Sequence, residues 1–257
     1  MDFIIARYPE VDSTMDEAKR LAGNAKEPRL IVLAERQTAG RGRIEGRSWT
    51  GSAGASMLMT LCLRGDFSSV AAMPLRIGLA VRDVLSEFGN TSATFQVKWP
   101  NDVMGMTIVD NKLNGYRKLG GLLCEVSNGW LFAGIGLNVK KSAYPKALAA
   151  SATSMEEALD WKTGEIPASF PGMSDLALAI GQAAAAYLEK KEWRGEYLRA
   201  MWSLGEEIFF SIGHPEIGQT RVGRIEGVDD SGRLLLRGED GELEAYWSGE
   251  ISGLRNR

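Results

Sequence analysis

Four short stretches concentrate residue types that can do chemistry on a charged substrate. The run Gly40-Arg41-Gly42-Arg43-Ile44-Glu45-Gly46-Arg47-Ser48-Trp49, continued by Gly51 and Gly54, follows directly on an apolar, strand-like segment ending near Glu35. Glycines let backbone N–H groups approach an anion, arginines add fork-shaped donors, and an aromatic ring can cover a base or shield a site. Such a loop suits a phosphate; a solvated flexible loop or an RGG-like nucleic-acid segment is the lesser alternative, because the local charge is isolated in an acidic protein. The second stretch is Lys98-Trp99-Pro100-Asn101-Asp102. Here Pro100 stops a strand and projects Asn101 and Asp102 outward, or the five residues are simply a turn. In the third, Lys118-Leu119-Gly120-Gly121-Leu122-Leu123-Cys124-Glu125, one lysine precedes a run that reads as a buried strand. A lysine at the rim of an apolar pocket is a fixed positive point for a reacting phosphate. Gly134-Ile135-Gly136-Leu137-Asn138 is the fourth.

Bulk properties remove several function classes. The chain has 257 residues, a net charge of -3 and 44% hydrophobic residues, with no long run of one sign. An acidic chain of this kind, with pI near 5.5, offers no broad phosphate-tracking surface or membrane-binding patch, so any basic site is local. His214 is the one histidine, which leaves almost no material for a histidine base, as in the commonest hydrolase triads, or for a histidine-rich metal centre. Cys62 and Cys124 sit in apolar strand-like runs without metal-ligand spacing, as buried free thiols of a reducing compartment. The start MDFIIARYPEVDST lacks the parts of a signal peptide, and nowhere are there about 18 consecutive apolar residues. A soluble, cytoplasmic protein is the expectation.

The elements that must position these stretches follow from periodicity. Strand-like runs span residues 3–6, 30–34, 56–63, 95–99, 119–126 and 130–139. Met73, Ile77, Ala80, Val81, Val84 and Phe88 keep helical spacing, with Pro74 tolerable in the first turn. Thr14 with Glu17 and Ser154 with Glu157 have capping-box spacing, and two more helices are expected over 174–190 and 193–202. After Gly205 the texture changes to short strands split by turns such as Asp229-Asp230-Ser231-Gly232. The expectation is an α+β main domain over residues 1–205 and a small β-barrel over 206–257. A homodimer, if one forms, would pair edge strands of the main domain.

In this order, the four motifs resemble the biotin–protein ligases, also called holocarboxylase synthetases. The resemblance covers nearly the whole chain, since Ser13-Thr14, Ala152-Thr153-Ser154 and Ser248-Gly249-Glu250-Ile251 also look familial. It implies a class II aminoacyl-tRNA synthetase-like catalytic domain with a mixed sheet, followed by an SH3-like barrel. It also implies ATP and magnesium, biotin as substrate, and a biotin carboxyl carrier protein as acceptor. Carried over by residue, it implies that Ser13, Thr14 and Gln37 meet the ureido ring of biotin. Arg41, Gly42 and Arg43 would close over the carboxylate and α-phosphate, and Lys118 would neutralise charge during adenylation, making Lys118 and Arg43 the catalytic pair. Gly40, Trp49, Asn101, Asp102 and Asn138 would line the nucleotide site, with Asp102 as a magnesium ligand. Thr14 can meanwhile cap a helix. The rival enzyme reading is a lipoate or octanoate ligase, which shares the chemistry; a non-enzymatic RNA-binding or adaptor protein is the distant one.

The chain departs from the family pattern in four places. Ile44 and Glu45 stand between Arg43 and Gly46 where one residue is usual, and Met15 stands where Asn commonly follows Ser-Thr. The stretch from Asp102 to Lys118 is long and contains a rival lysine motif, Lys112-Leu113-Asn114-Gly115; the extra residues are expected to form a longer hairpin, and Lys118 is preferred because it leads into Gly-x-Leu-x-Glu. Finally, the catalytic pattern begins within the first 15 residues, so the N-terminal winged helix of DNA-binding family members, and a DNA partner with it, is not expected.

Overall fold

The computed structural model describes residues 3–44, 46, 48–49, 52–89, 94–109, 112–161, 166–168, 170–212 and 219–254. The side chains at 108–109 and 112–114, and the expected turn around His214, lie outside the described set. The main sheet is built from β1 (Ile4–Val11), β2 (Arg29–Gln37), β3 (Ser56–Arg64), β4 (Phe95–Lys98), β5 (Asp102–Val109), β6 (Lys112–Ser127) and β7 (Trp130–Asn138). Its strand order is β1-β2-β3-β7-β6-β5-β4. Only β1 and β2 run parallel; every other pair is antiparallel, so the sheet is mixed.

The helices are α1 (Thr14–Ala22), α2 (Met73–Ser86), α3 (Met155–Ala158), α4 (Met173–Glu189) and α5 (Arg194–Ala200). The central strands are apolar on both faces because helices cover both. Ile31, Leu33, Met59, Leu61, Leu131 and Ala133 share a core with α2 and α4. Their neighbours Leu30, Val32, Cys62, Trp130 and Phe132 point the other way and pack on Met15, Ala18 and Ala22 of α1. The alternation follows from the two-residue side-chain period of a strand, and two-sided burial explains runs such as SMLMTLCL, which have no polar face. Among the described residues no helix is long and apolar enough to cross a membrane.

Two boundaries differ from the sequence expectation. Ser13, not Thr14, caps α1, its Oγ accepting from Met15 N–H; Thr14 is the first helical residue and its hydroxyl is used elsewhere. Beyond Pro100 the chain does not project outward: Asp102 opens β5, pairing with Lys98 and Gly121. The long hairpin is present, β5 turning into β6 with Val109 opposite Lys112. Ser154 caps α3 as its spacing predicts, accepting from Glu157 N–H and donating to that carboxylate.

After α5 come β8 (Glu207–Ile212), β9 (Gln219–Val228), β10 (Leu234–Gly238), β11 (Leu243–Tyr246) and β12 (Glu250–Leu254). They form a five-stranded antiparallel sheet in the order β11-β10-β9-β8-β12. The expected barrel is therefore an open sheet among the described residues, since its end strands β11 and β12 are not paired with each other. Its apolar face does not stand alone. Ile208, Phe210, Ile225, Leu234 and Ile251 share one core with Leu75 and Leu79 of α2, Val97, Trp99 and Tyr197. Trp99 Nε1 donates to Gly232 O at 3.0 Å, so the tryptophan of the Lys-Trp-Pro-Asn-Asp stretch anchors the second sheet.

Candidate active site

The α1 side of the main sheet is covered by helix for only part of its length. Past the N-terminus of α1 the floor runs through two cross-strand rows: Thr60, Gly134 and Leu123, then Leu58, Gly136, Gly121 and Asp102. Missing side chains at Gly134, Gly136 and Gly121 leave a depression there. The resulting cleft has about 600 Å³ of empty space, solvent at its open mouth included. Ser13, Thr14, Gln37, Arg41, Gly42, Arg43, Trp49, Asn101 and Lys118 line it, with Met15, Leu58, Met59, Leu122, Leu123, Ile135 and the three floor glycines.

One end is neutral and rich in hydrogen-bonding groups. Gln37 Oε1 accepts from both Thr14 N–H at 2.7 Å and Thr14 Oγ1 at 2.9 Å, and Thr60 Oγ1 donates to Thr14 Oγ1 at 2.9 Å. Ser13 and Thr14 are buried at the start of α1, where the macrodipole adds positive potential. Thr60 joins this cluster without having been singled out in the sequence; its only signal was a polar residue inside an otherwise apolar strand.

The glycine-arginine loop forms the lid side. Arg41 and Ser48 make an isolated antiparallel bridge, and Trp49 N–H donates to Gly40 O at 3.0 Å, so the loop returns on itself. Gly40 is required there: a Cβ would stand 2.7 Å from Trp49 O. The Trp49 indole lies against Gly136, where a Cβ would come within 2.6 Å of the ring, and its N–H is buried without a hydrogen-bond partner among the described residues. Glu45, Arg47 and Gly51 lie outside the described residues. Arg41 is clasped by Asp16 of α1 in a two-point contact of 2.7 and 2.6 Å. That guanidinium holds the Asp16 carboxyl below the usual carboxylate range. Arg43 reaches across to the second sheet and donates to Gly249 O at 2.9 Å.

Opposite the loop, Lys118 sits at a bulge. Val103 faces Gly120 but Met104 faces Lys118, so Leu119 is the extra residue, and such bulges re-aim side chains beside active sites. Its backbone is fixed by Lys118 N–H to Ser151 O and Thr153 N–H to Lys118 O. The ammonium lies 2.7 Å from Asp102 Oδ1. Lys112, the rival, opens β6 at the hairpin end, and its side chain lies outside the described ones. Asn101 lines the cleft but spends its amide on Leu122 O, while Leu122 N–H donates to Asn101 O. Asn138 turns its amide to Thr153 O, tying down the 151–154 segment rather than facing the cleft. Cys62 and Cys124 are unpaired, and burial pushes both thiols up to about 12, so neither is a ready nucleophile at neutral pH.

No cage for a metal ion is formed: among the described residues no three His, Cys, Asp or Glu side chains gather, and Asp102 is taken by Lys118. Magnesium here would arrive on nucleotide phosphates, keeping several of its waters.

Residues 8–141 match the model of the Biotin/lipoate A/B protein ligase family. The chain belongs to that family. A second match, to the biotin protein ligase C-terminal domain, covers residues 204–253 and places the chain among its biotin protein ligases. A biotin--[acetyl-CoA-carboxylase] ligase of Paracoccus denitrificans is 34% identical over 90% of this chain and 92% of its own length. The bifunctional ligase/repressor BirA of Escherichia coli is 29% identical, over 96% of this chain and 73% of its own. Among solved structures, a biotin protein ligase from Aquifex aeolicus in complex with biotin and ATP is 28% identical. It superposes with a TM-score of 0.76, over 99% of both chains.

Proposed function

We propose that this biotin protein ligase joins biotin to ATP as biotinyl-5'-AMP and then transfers the biotinyl group to a lysine of a biotin carboxyl carrier protein. The observation that carries the reading is the order of groups along one cleft. A neutral cluster of Ser13, Thr14, Gln37 and Thr60 suits a buried ureido ring, whose donors and acceptors need partners. Leu58, Leu122 and Ile135 suit an aliphatic chain. Arg41, Arg43 and Lys118 line the same cleft and would meet a carboxylate and an α-phosphate there.

In the first step a carboxylate oxygen of biotin attacks the α-phosphorus and pyrophosphate leaves. Both reactants are anionic, so the work of the residues is positioning and charge neutralisation. Magnesium, carried in by ATP, would offset phosphate charge. The loop with Arg43 would then cover the mixed anhydride against water. In the second step the carrier's lysine amine attacks the acyl carbon and AMP leaves. Relatives named for acetyl-CoA carboxylase support a carboxylase carrier as the acceptor, and the match to a biotin protein ligase C-terminal domain favours biotin over lipoate.

The test is biotin-dependent exchange of labelled pyrophosphate into ATP, followed by mass measurement of a carrier domain incubated with enzyme, ATP, magnesium and biotin. The carrier should gain one biotinyl group on one lysine. Exchange driven by lipoate but not biotin would overturn the substrate assignment.

A further inference from the structure

We infer that Asn138 is a positioning residue for Lys118, acting through the 151–154 segment and not as a nucleotide ligand. This rests on the adenylate-forming reading above. Lys118 lies where the sheet stops supporting β6 on one side. Pairing of β6 with β7 ends at Gly120 opposite Leu137. Past Asn138 the chain turns toward the start of β3, Val139 and Lys140 N–H both donating to Ala55 O at 3.0 and 2.9 Å. On its other side Lys118 faces Met104 of β5 across the bulge at Leu119. A side chain in such a place is aimed by its backbone, and here the backbone has lost one neighbouring strand.

The 151–154 segment takes that strand's place. Ala152 forms an isolated parallel bridge with Lys118: Lys118 N–H donates to Ser151 O and Thr153 N–H to Lys118 O, each at 2.9 Å. Asn138, the last residue of β7, closes the remaining gap, its Nδ2 donating to Thr153 O at 2.9 Å. Thr153 is thus gripped through its N–H by β6 and through its C=O by β7. On a third side Gly105 of β5 makes room for it, since a Cβ there would stand 3.0 Å from the Thr153 methyl group. Asn138 is 6% exposed and Thr153 fully buried, so loss of the amide leaves a buried carbonyl without its donor. Asn138 is not part of the cleft lining, whereas Lys118 is. The asparagine therefore reaches the chemistry through the backbone that aims the ammonium, and a misplacement of about 1 Å in such a group can cost on the order of 10²-fold in rate.

The experiment compares Asn138→Leu, Asn138→Ala, Lys118→Ala and the double variant of Asn138→Leu with Lys118→Ala. Glu156 N–H donates to Val139 O at 3.0 Å, so α3 keeps its own tie to the end of β7 and the segment loosens without detaching. The first readout needs no turnover: amide hydrogen exchange in unliganded protein. Asn138→Leu should speed it about tenfold or more at Lys118 and Thr153, and leave Leu131 and Ala133 of β7 within about twofold. The second is pyrophosphate exchange into ATP. Asn138→Leu should lower kcat roughly 10- to 100-fold with KM for ATP within about twofold, and should cause no further loss in the Lys118→Ala background. Asn138→Ala should match it, because both lack the donor although their volumes differ. A KM for ATP raised several-fold would make Asn138 a nucleotide ligand and overturn the inference. Unchanged amide protection at Lys118 and Thr153, or losses that multiply with Lys118→Ala, would overturn it equally. Absence of pyrophosphate exchange in the unsubstituted protein would instead remove the adenylate reading, while amide protection still decides whether Asn138 holds the Lys118 backbone.

Discussion

Lys118 and Gly136 act in opposite ways, one by the charge it carries and the other by the side chain it lacks. Replacing Lys118 with alanine removes a point charge from a cleft wall but touches no core, since the side chain is 41% exposed. The variant should still fold, at some cost in stability because Asp102 loses its ammonium partner, while adenylation falls by about 10²- to 10³-fold, the scale for losing one preorganised charge-stabilising group. Single-turnover formation of biotinyl-5'-AMP measures it, and near-normal rates would move the role to Lys112 or abolish it. Gly136→Ala is a steric experiment. Its methyl would occupy the place of the Trp49 ring, so the ring must lift and the cleft floor rises. Biotin affinity, measured by calorimetry, should weaken by about tenfold or more, or ~1.4 kcal/mol upward, in a protein that still folds. An unchanged affinity would show that Trp49 does not depend on the bare floor.

At the scale of elements, the glycine-arginine loop is held at two points that belong to different parts of the chain: Arg41 on Asp16 of α1, Arg43 on Gly249 beyond β11. The Asp16 carboxyl has its pKa lowered in the folded protein by Arg41. The contribution of this pair is therefore complete above the ordinary value of about 3.9 and is lost only as pH falls through the lower folded value. Retention of the adenylate should accordingly show no change due to this pair from about pH 5 to about pH 8. Asp16→Asn should leak more intermediate throughout that range, measured as free biotinyl-5'-AMP in a filtrate, and a leak that appears only at one end of the range would assign the loop's hold to another group. Arg43→Gly should leak too, and should label bystander proteins; tight retention would contradict a lid. The strands and helices behind the loop were legible because burial on both faces writes long apolar runs and capping residues mark helix starts. β5 was not. Its residues follow a proline turn without alternation, and its place is dictated by pairing with β6. Nor could spacing show that Asp102 meets Lys118, because that contact depends on a bulge at Leu119 between paired strands. Residues of all four motifs line one cleft or the segments beside it: Arg41, Arg43, Asn101, Lys118 and Gly136 face it, while Trp99 anchors the second sheet and Asn138 holds the 151–154 segment.

For the whole molecule, the decisive fact is that the second sheet has no private core. Its inward residues interleave with Leu75, Leu79, Val97 and Trp99 of the first part, so the second sheet cannot bury its apolar face without them. Unfolding should then be one cooperative event: near-ultraviolet circular dichroism, to which packed aromatics such as Trp99 and Phe210, with ring centroids 6.1 Å apart, contribute, and loss of biotin binding should share a single midpoint. Two separated midpoints would mean that the sheets fold independently despite the shared core. Gly249 joins this packing to the chemistry. Its φ of 151° is open chiefly to glycine, and a Cβ would stand 2.2 Å from the Phe210 ring. Gly249→Ala must therefore strain the backbone, displace Phe210, or both, at a cost of about 1–3 kcal/mol. The same displacement moves the carbonyl that accepts from Arg43. The expected variant melts several degrees lower and also leaks adenylate, although the substitution lies in the second sheet. A variant that loses stability yet retains the intermediate as tightly as the parent would confine the second sheet to a structural role and leave Arg43 anchored by the substrate alone.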